Sequence, residues 1–311
     1  MSLTFAAVVP NYNDASKIAQ SLKSLAEQTY PFAEILIVDD GSKDDSVAVI
    51  RGLIADMPNA RLIESPQNAG VVAALNRGLA EVKSEFLFMC SANDFYQPNM
   101  VSIAAEMLAL YPQAGIVSGN VGTYDELKKA NEYDMKLPLP QQRKYYSPAD
   151  FVAQNKQVGV HFNGGANALR MSLVREFGGL RAPLKWHSDW FLNLMCAFRA
   201  GVVYVPENFM ICRLEGKKSY SSNRHHWPTE RQVIDDSLSA IAEFPNEAVL
   251  FQQSALLPKY DMRALPMMLR KYSHFISPLL LWRMKMHSMT YWTKKIVPRP
   301  VLMALRPLVR F

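Results

Sequence analysis

Along the first hundred positions, apolar residues come in short unbroken runs, separated by stretches in which they recur every three or four residues. The runs at 3–9, 34–39, 60–64 and 85–90 have the length of buried strands. The segments 15–27, 45–56 and 70–82 between them have the period of amphipathic helices. A helix over 99–110 and a strand at 114–118 continue the alternation. Strands alternating with helices of this length predict βαβ units, hence an α/β fold with a largely parallel sheet. Ligands of such sheets bind beyond the carboxyl ends of the strands, so the strand tips are where chemistry is expected.

After residue 120 the pattern loosens. Residues 121–160 are more polar and less periodic, with Pro138 and Pro140 marking a connection. Phe162-Asn163-Gly164-Gly165-Ala166-Asn167 predicts a tight turn, followed by a short helix from about 171. Helical periodicity returns over 188–200, and Val202-Val203-Tyr204-Val205 reads as a strand. Glu215 to Asn223, rich in Ser, Lys and Gly, reads as a flexible loop. The chain has no internal repeats and no low-complexity blocks.

Composition narrows the class. The chain has 311 residues, 49% hydrophobic and 20% charged, which suits a soluble globular protein of one large α/β domain or two modest ones. Cys90, Cys196 and Cys212 are too few and too scattered for a disulfide framework or a CxxC zinc site, so a reducing compartment is expected. The apolar run Leu3 to Val9 lacks a basic leader and reads as a first strand rather than a signal peptide. No stretch approaches the roughly 20 apolar residues of a membrane-spanning helix.

Charge is unevenly distributed. Residues 262–311 hold ten Lys or Arg and no Asp or Glu, so the rest of the chain carries 24 basic against 28 acidic residues. A basic tail on a mildly acidic body points to an anionic partner for the tail, not to a nucleic-acid-binding protein.

Three strand tips are chemically loaded. The first strand runs into Val9-Pro10-Asn11-Tyr12-Asn13-Asp14, and the second ends in Val38-Asp39-Asp40-Gly41-Ser42. The fourth breaks from Phe86-Leu87-Phe88-Met89-Cys90 into Ser91-Ala92-Asn93-Asp94. Adjacent Asp39 and Asp40 face opposite ways if strand geometry persists, one toward a cleft and one toward the turn. Asp40 alone fits a ligand contact or turn chemistry equally well, and Asp44 or Ser46 suits the cap of the next helix. GxGxxG after the first strand, GxxxxGK[ST] and HExxH are all absent, which argues against dinucleotide, P-loop and zincin chemistry. His225-His226 lack a chelating spacing.

Taken in order, Pro10-x-Tyr12-Asn13, Asp39-Asp40-Gly41-Ser42-x-Asp44, Asn68-x-Gly70 and Asn76-x-Gly78 resemble the N-terminal half of family 2 glycosyltransferases. Each motif is weak by itself; their order and spacing across roughly the first 120 residues carry the resemblance. It implies a GT-A fold, a mostly parallel twisted sheet flanked by helices, with a C-terminal helical extension. Residues 1–225 would form the GT-A domain, 1–120 its nucleotide-binding half and 121–225 its acceptor half. Residues 226–311 would form the basic helical extension.

The resemblance implies roles at matching positions. Pro10, Tyr12, Asn13, Asp40, Ser42 and Asn68 would bind the nucleotide, with Asp40 accepting from the imide N–H of uracil or thymine. The family's Asp-x-Asp, at the fourth tip, contacts ribose and holds a divalent cation on the diphosphate. Here the aligned residues are Ser91-Ala92-Asn93-Asp94, so Asn93 would meet a ribose hydroxyl and Asp94 alone would hold Mg²⁺ or Mn²⁺. Ser91 and Asn93 in place of carboxylates put metal dependence in question. In His187-Ser188-Asp189-Trp190, Asp189 matches the family's catalytic base; without the resemblance, Ser188 or Asp189 reads as a helix cap. Arg213, Lys217 and Lys218 would close on the diphosphate. Gly164-Gly165 would let the backbone approach the donor sugar or simply make a turn.

The function implied is an inverting transferase that moves a hexosyl unit from a UDP-sugar, or secondarily a dTDP-sugar, to a glycan or lipid-linked acceptor in cell-surface polysaccharide synthesis. Two alternatives fit the same residues: a non-catalytic nucleotide-sugar-binding homologue and a basic-tailed membrane-associated adaptor. Trp282, Tyr291 and Trp292 among the tail's Lys and Arg suit either an anionic membrane surface or packing on the body. The expected location is cytoplasmic, peripheral at the inner face of the membrane.

Overall fold

The computed structural model describes residues 2–214, 227–258 and 260–296. Its centre is β1 (Phe5–Asn11), flanked in parallel by β2 (Glu34–Asp39) and β4 (Phe86–Met89), with β3 (Ala60–Glu64) outside β2. Helices α1 (Ile18–Ala26), α2 (Ser46–Ile54) and α3 (Val71–Leu79) make the crossovers and cover both faces. This two-sided burial is why the strands read as continuous apolar runs rather than as alternating ones.

Register aligns the tips. Pro10 lies opposite Val38, and Asn11 opposite Asp39. The ladder between β1 and β4 ends at Val8 opposite Met89, so Pro10 comes after the last rung on that side and its missing N–H breaks no bond there. The Asn76-x-Gly78 motif works in packing: a β-carbon on Gly78 would stand 2.4 Å from Val8 Cγ1, so glycine lets α3 lie close against β1.

The second half is mixed rather than parallel. The short β9 (Asn167–Arg170) inserts between β4 and β6 (Ile116–Asp125), antiparallel to both. The long β10 (Val202–Leu214) runs parallel to β6 and antiparallel to β5 (Phe95–Tyr96) and β8 (Lys144–Tyr146), while β7 (Ala130–Met135) pairs antiparallel with β6. The expectation of a largely parallel sheet therefore holds for β3-β2-β1-β4 and for β6-β10 only. β9 has four residues, lying between the turn read over 162–167 and the helix read from about 171, too few to give a periodic signal.

Two cores sandwich the sheet. One lies under α1, α2 and α4 (Met100–Leu110) and includes Phe5, Phe88 and Phe209. The other joins α3, α5 (Pro148–Gln157), α6 (Met171–Glu176) and α7 (Ser188–Ala200) to the C-terminal helices α8 (Trp227–Ala242), α9 (Pro245–Ser254), α10 (Leu265–Lys271) and α11 (Pro278–Ile296). Trp190 and Phe191 of α7 share this core with Leu238, Phe251, Phe275 and Met284. The helical extension is present and braces α7; the boundary expected at 225 lies outside the described residues. Among the described residues, no helix is long and apolar enough to cross a membrane.

Candidate active site

The first two tips are locked together by Asp39. Its buried carboxylate accepts from Asn11 Nδ2 (2.8 Å), the Ser42 backbone N–H (2.9 Å) and the Ser42 hydroxyl (2.6 Å). Ser42 Oγ accepts in turn from the Asn13 N–H (2.9 Å), and Asn13 Oδ1 accepts from the Lys43 N–H (2.7 Å). Asn13 holds a left-handed conformation, φ 57°, of the kind asparagine tolerates. Asn13 and Ser42, expected to touch nucleotide, thus have their hydrogen bonds in closing this turn, and neither is among the residues lining the cleft.

Asp40 faces the other way and lines the cleft. Its carboxylate accepts from the N–H groups of Ala69 (3.0 Å) and Gly70 (2.7 Å), fixing the turn in which Asn68 Oδ1 also accepts from the Gly70 N–H (3.0 Å). The Asp39-Asp40 and Asn68-x-Gly70 motifs are therefore two parts of one hydrogen-bonded unit. Tyr12, 43% exposed, and Pro10 form the neighbouring cleft surface.

At the fourth tip, Asp94 is buried and its Oδ1 accepts from the Arg213 backbone N–H at 2.9 Å. Burial pushes its carboxyl above the usual aspartate range, opposed by that N–H and by the Arg213 charge. Ser91 donates its hydroxyl to Asn93 Oδ1, so the Asn93 NH₂ remains the group available to substrate oxygens. The Ser91 N–H donates to Tyr96 OH (2.6 Å), and burial pushes the adjacent Cys90 thiol up to about 12, which leaves it inert. The Arg213 guanidinium is held by Glu126 and Gln20 and lies 5.4 Å from the Phe95 ring centre.

The opposite wall comes from the second half. Asp189 sits in the first turn of α7, its Oδ1 accepting from the Trp190 N–H at 2.7 Å, and its Oδ2 packs against Gly164. A β-carbon on Gly165 would meet Met210 Sδ at 2.6 Å. These contacts give Gly164-Gly165 a purpose different from approach to a donor sugar: the pair makes room for Asp189 and for β10. Ser188 does not cap α7. Its hydroxyl accepts from the Arg181 N–H (2.6 Å) and donates to the Arg181 carbonyl (3.1 Å), clamping the loop before the helix.

Pro10, Tyr12, Asp40, Asn68, Asn93, Asp94, Asp189 and Arg213 line one cleft of about 1050 Å³. Lys217 and Lys218 lie outside the described residues, as do His225 and His226. Sequence reasoning missed Lys17, Lys185, Trp186 and Cys212, which also line the cleft. For Lys185 and Trp186 the available signal was their place just ahead of the Asp189 segment.

Among the described residues, no group of three His, Cys, Asp or Glu side chains gathers to hold a metal. With the Ser91 hydroxyl and Asn93 Oδ1 engaged with each other, the donor set here is the Asp94 carboxylate alone. It fits Mg²⁺ or Mn²⁺ carried in on substrate phosphates and water, not a cation caged by protein alone.

The comparisons with known proteins agree with this geometry. The family model described as glycosyl transferase family 2 matches residues 6–178. Glycosyltransferase GlyG of Streptococcus pneumoniae is 29% identical over 126 residues, 40% of this chain and 42% of that protein, so the match spans less than half of the relative's length. Residues 1–349 of S. aureus TarS, solved in complex with UDP-GlcNAc, superpose with a TM-score of 0.64 at 16% identity, covering 86% of this chain and 73% of that one. The mannosyltransferase PcManGT from Pyrobaculum calidifontis, solved with GDP-Man and Mn²⁺, gives 0.55 at 18% identity, covering 96% and 82%. With its strand tips and an acidic helix start gathered on one cleft, the chain belongs to glycosyl transferase family 2 and has a GT-A fold.

Proposed function

We propose that this enzyme is an inverting transferase that moves a hexosyl unit from a UDP-sugar, with a dTDP-sugar as second choice, to a hydroxyl of a glycan or lipid-linked acceptor in cell-surface polysaccharide synthesis. The observation that carries the reading is the convergence of Asp40, Asp94 and Asp189, from three distant parts of the chain, on one cleft. UDP-GlcNAc in the TarS complex supports uridine as the base.

The base lies against Pro10 and Tyr12, and Asp40, already fixed by Ala69 and Gly70, keeps acceptor capacity for an imide N–H. The Asn93 NH₂ donates to a ribose hydroxyl. The diphosphate lies by Asp94 and Arg213, where a divalent cation, when bound, neutralises growing charge on the leaving group. Mn²⁺ in the PcManGT complex supports this choice of ion. Asp189 takes the proton of the acceptor hydroxyl as its oxygen attacks the anomeric carbon. The new carbon–oxygen bond forms on the face opposite the breaking bond to phosphate, and UDP leaves with the electron pair. One displacement inverts the centre.

The free thiols of Cys90, Cys196 and Cys212 support a reducing, cytoplasmic location. Leu281, Trp282, Lys285 and Met289 are exposed on α11 while Leu280 and Met284 are buried, and this supports peripheral contact with an anionic inner leaflet. The test of the catalytic reading is UDP release from a panel of UDP-sugars, with and without Mn²⁺, by wild type and Asp189→Asn. Turnover lost in Asp189→Asn with UDP affinity kept is expected. UDP binding without turnover on any donor would overturn it.

A further inference from the structure

Lys185 occupies a backbone conformation, φ 49° and ψ −121°, that belongs to the first corner of a type II′ turn. Glycine ordinarily takes that corner, because a side chain there is strained. The surroundings enforce the strain. At one end of the segment, the Asn76 amide donates to the Leu180 carbonyl (2.6 Å) and accepts from its N–H (2.9 Å). At the other, Ser188 clamps both backbone groups of Arg181. The Arg181 side chain is itself held, paired with Glu243 at 2.8 Å and stacked 5.1 Å from the Phe191 ring centre.

A rigid loop thus carries a strained lysine into the cleft, beside Trp186, which lines the same wall. The Lys185 ammonium lies 6.0 Å from the Trp186 ring centre, and among the described residues no carboxylate lies within ion-pair distance of it. Glycine would relieve the corner but would remove the cation and leave the indole. Both residues directly precede the Asp189 turn of α7, so they belong to the wall of the base. The diphosphate corner is assembled from Asn93, Asp94 and Arg213 on other elements.

We propose that Lys185 and Trp186 form an acceptor subsite for a sugar unit that bears an oxyanion, a phosphate or a carboxylate. The indole packs on the C–H face of the sugar and the ammonium pairs with the oxyanion, holding the neighbouring hydroxyl toward Asp189. This rests on the glycosyltransfer reading above and adds the charge class of the acceptor to it.

The experiment titrates glucose 6-phosphate, with glucose as the neutral control, into protein saturated with UDP, so that the diphosphate corner is already filled. Lys185→Gly, Lys185→Met and Lys185→Arg are compared with wild type, and UDP itself is titrated into each. Glucose 6-phosphate is expected to bind wild type and Lys185→Arg, and to bind the Gly and Met variants about tenfold more weakly, the loss of one charge-assisted contact. Affinity for UDP should be unchanged, and Lys185→Gly should melt at a higher temperature than wild type. Equal glucose 6-phosphate affinity in all four proteins, or none for the UDP-loaded wild type, would overturn the subsite. Weakened UDP binding in Lys185→Gly would move Lys185 to the donor diphosphate and overturn it as well. Failure of wild type to bind UDP counts instead against the donor reading, and the UDP titration reads it separately.

Discussion

A β-carbon on Gly164 would stand 2.3 Å from Asp189 Oδ2. The carboxylate of the candidate base occupies the place that any other side chain at 164 would need. Gly164 has no positive φ, so alanine meets no backbone strain there and acts only by pushing the carboxylate aside. Gly164→Ala should lower kcat about 100-fold, the scale of a misplacement of about 1 Å, with a small change in the KM for donor. Steady-state kinetics with a melting curve checks this. An unchanged kcat would mean that Asp189 is not the base.

Asp94 accepts from the Arg213 N–H and, among the described residues, is the only carboxylate of its corner that lines the cleft. Asp94→Ala should abolish metal-dependent turnover and destabilise the fold by about 1–3 kcal/mol, because a buried N–H loses its acceptor. Asn93→Asp should keep activity and tighten Mn²⁺ binding, measured by calorimetry in the presence of UDP. Metal-dependent turnover surviving in Asp94→Ala would remove Asp94 from the cation site.

The raised carboxyl of Asp94 gives a pH signature, with burial as the main cause. The folded state holds this proton more tightly than the unfolded chain, so its contribution to stability is full below the ordinary aspartate range and is lost as pH rises through the raised folded value. Metal-free melting temperatures of wild type minus Asp94→Asn should therefore fall as pH rises across that window. A difference that grows with pH would show that hydrogen bonding to the carboxylate outweighs its burial.

Asn76 ties α3 to the loop that leads to Asp189 through two hydrogen bonds to Leu180. Asn76→Ala should cost about 1–3 kcal/mol in chemical denaturation and lower kcat, since both backbone groups of Leu180 lose their partners. An Asn76→Ala protein with wild-type kcat would show that this tie does not position Asp189.

Trp282 and Lys285 are exposed on α11, in the stretch of chain that holds no acidic residue. Co-sedimentation with vesicles containing anionic lipid should fall strongly for the double variant Trp282→Glu, Lys285→Glu, and should fall for wild type in high salt. Equal recovery of wild type and variant in the supernatant would rule out this face as the membrane contact.

By itself the sequence determined the alternating first half, the strand tips that carry Pro10, Asp40 and Asp94, and the helix that starts beside Asp189. These are local properties: a run of apolar residues ends where the chain turns polar, and a period of three or four marks a helix whatever lies around it. The fourth-tip segment Ser91-Ala92-Asn93-Asp94 was legible for the same reason. Tertiary structure alone decided which residue at each tip faces the cleft. Asn13 and Ser42 look like ligands in the sequence, but their hydrogen bonds close a turn: Asp39 holds Ser42, whose hydroxyl accepts from the Asn13 N–H across two strands. Gly164 looks like turn chemistry and proves to be the space for a carboxylate. β9, Lys185 and Trp186 left no periodic trace, since a four-residue strand and a clamped loop gain their conformation from contacts with distant parts of the chain. A pattern along the chain encodes burial, whereas the direction of a polar side chain depends on which partners the fold brings within hydrogen-bond reach.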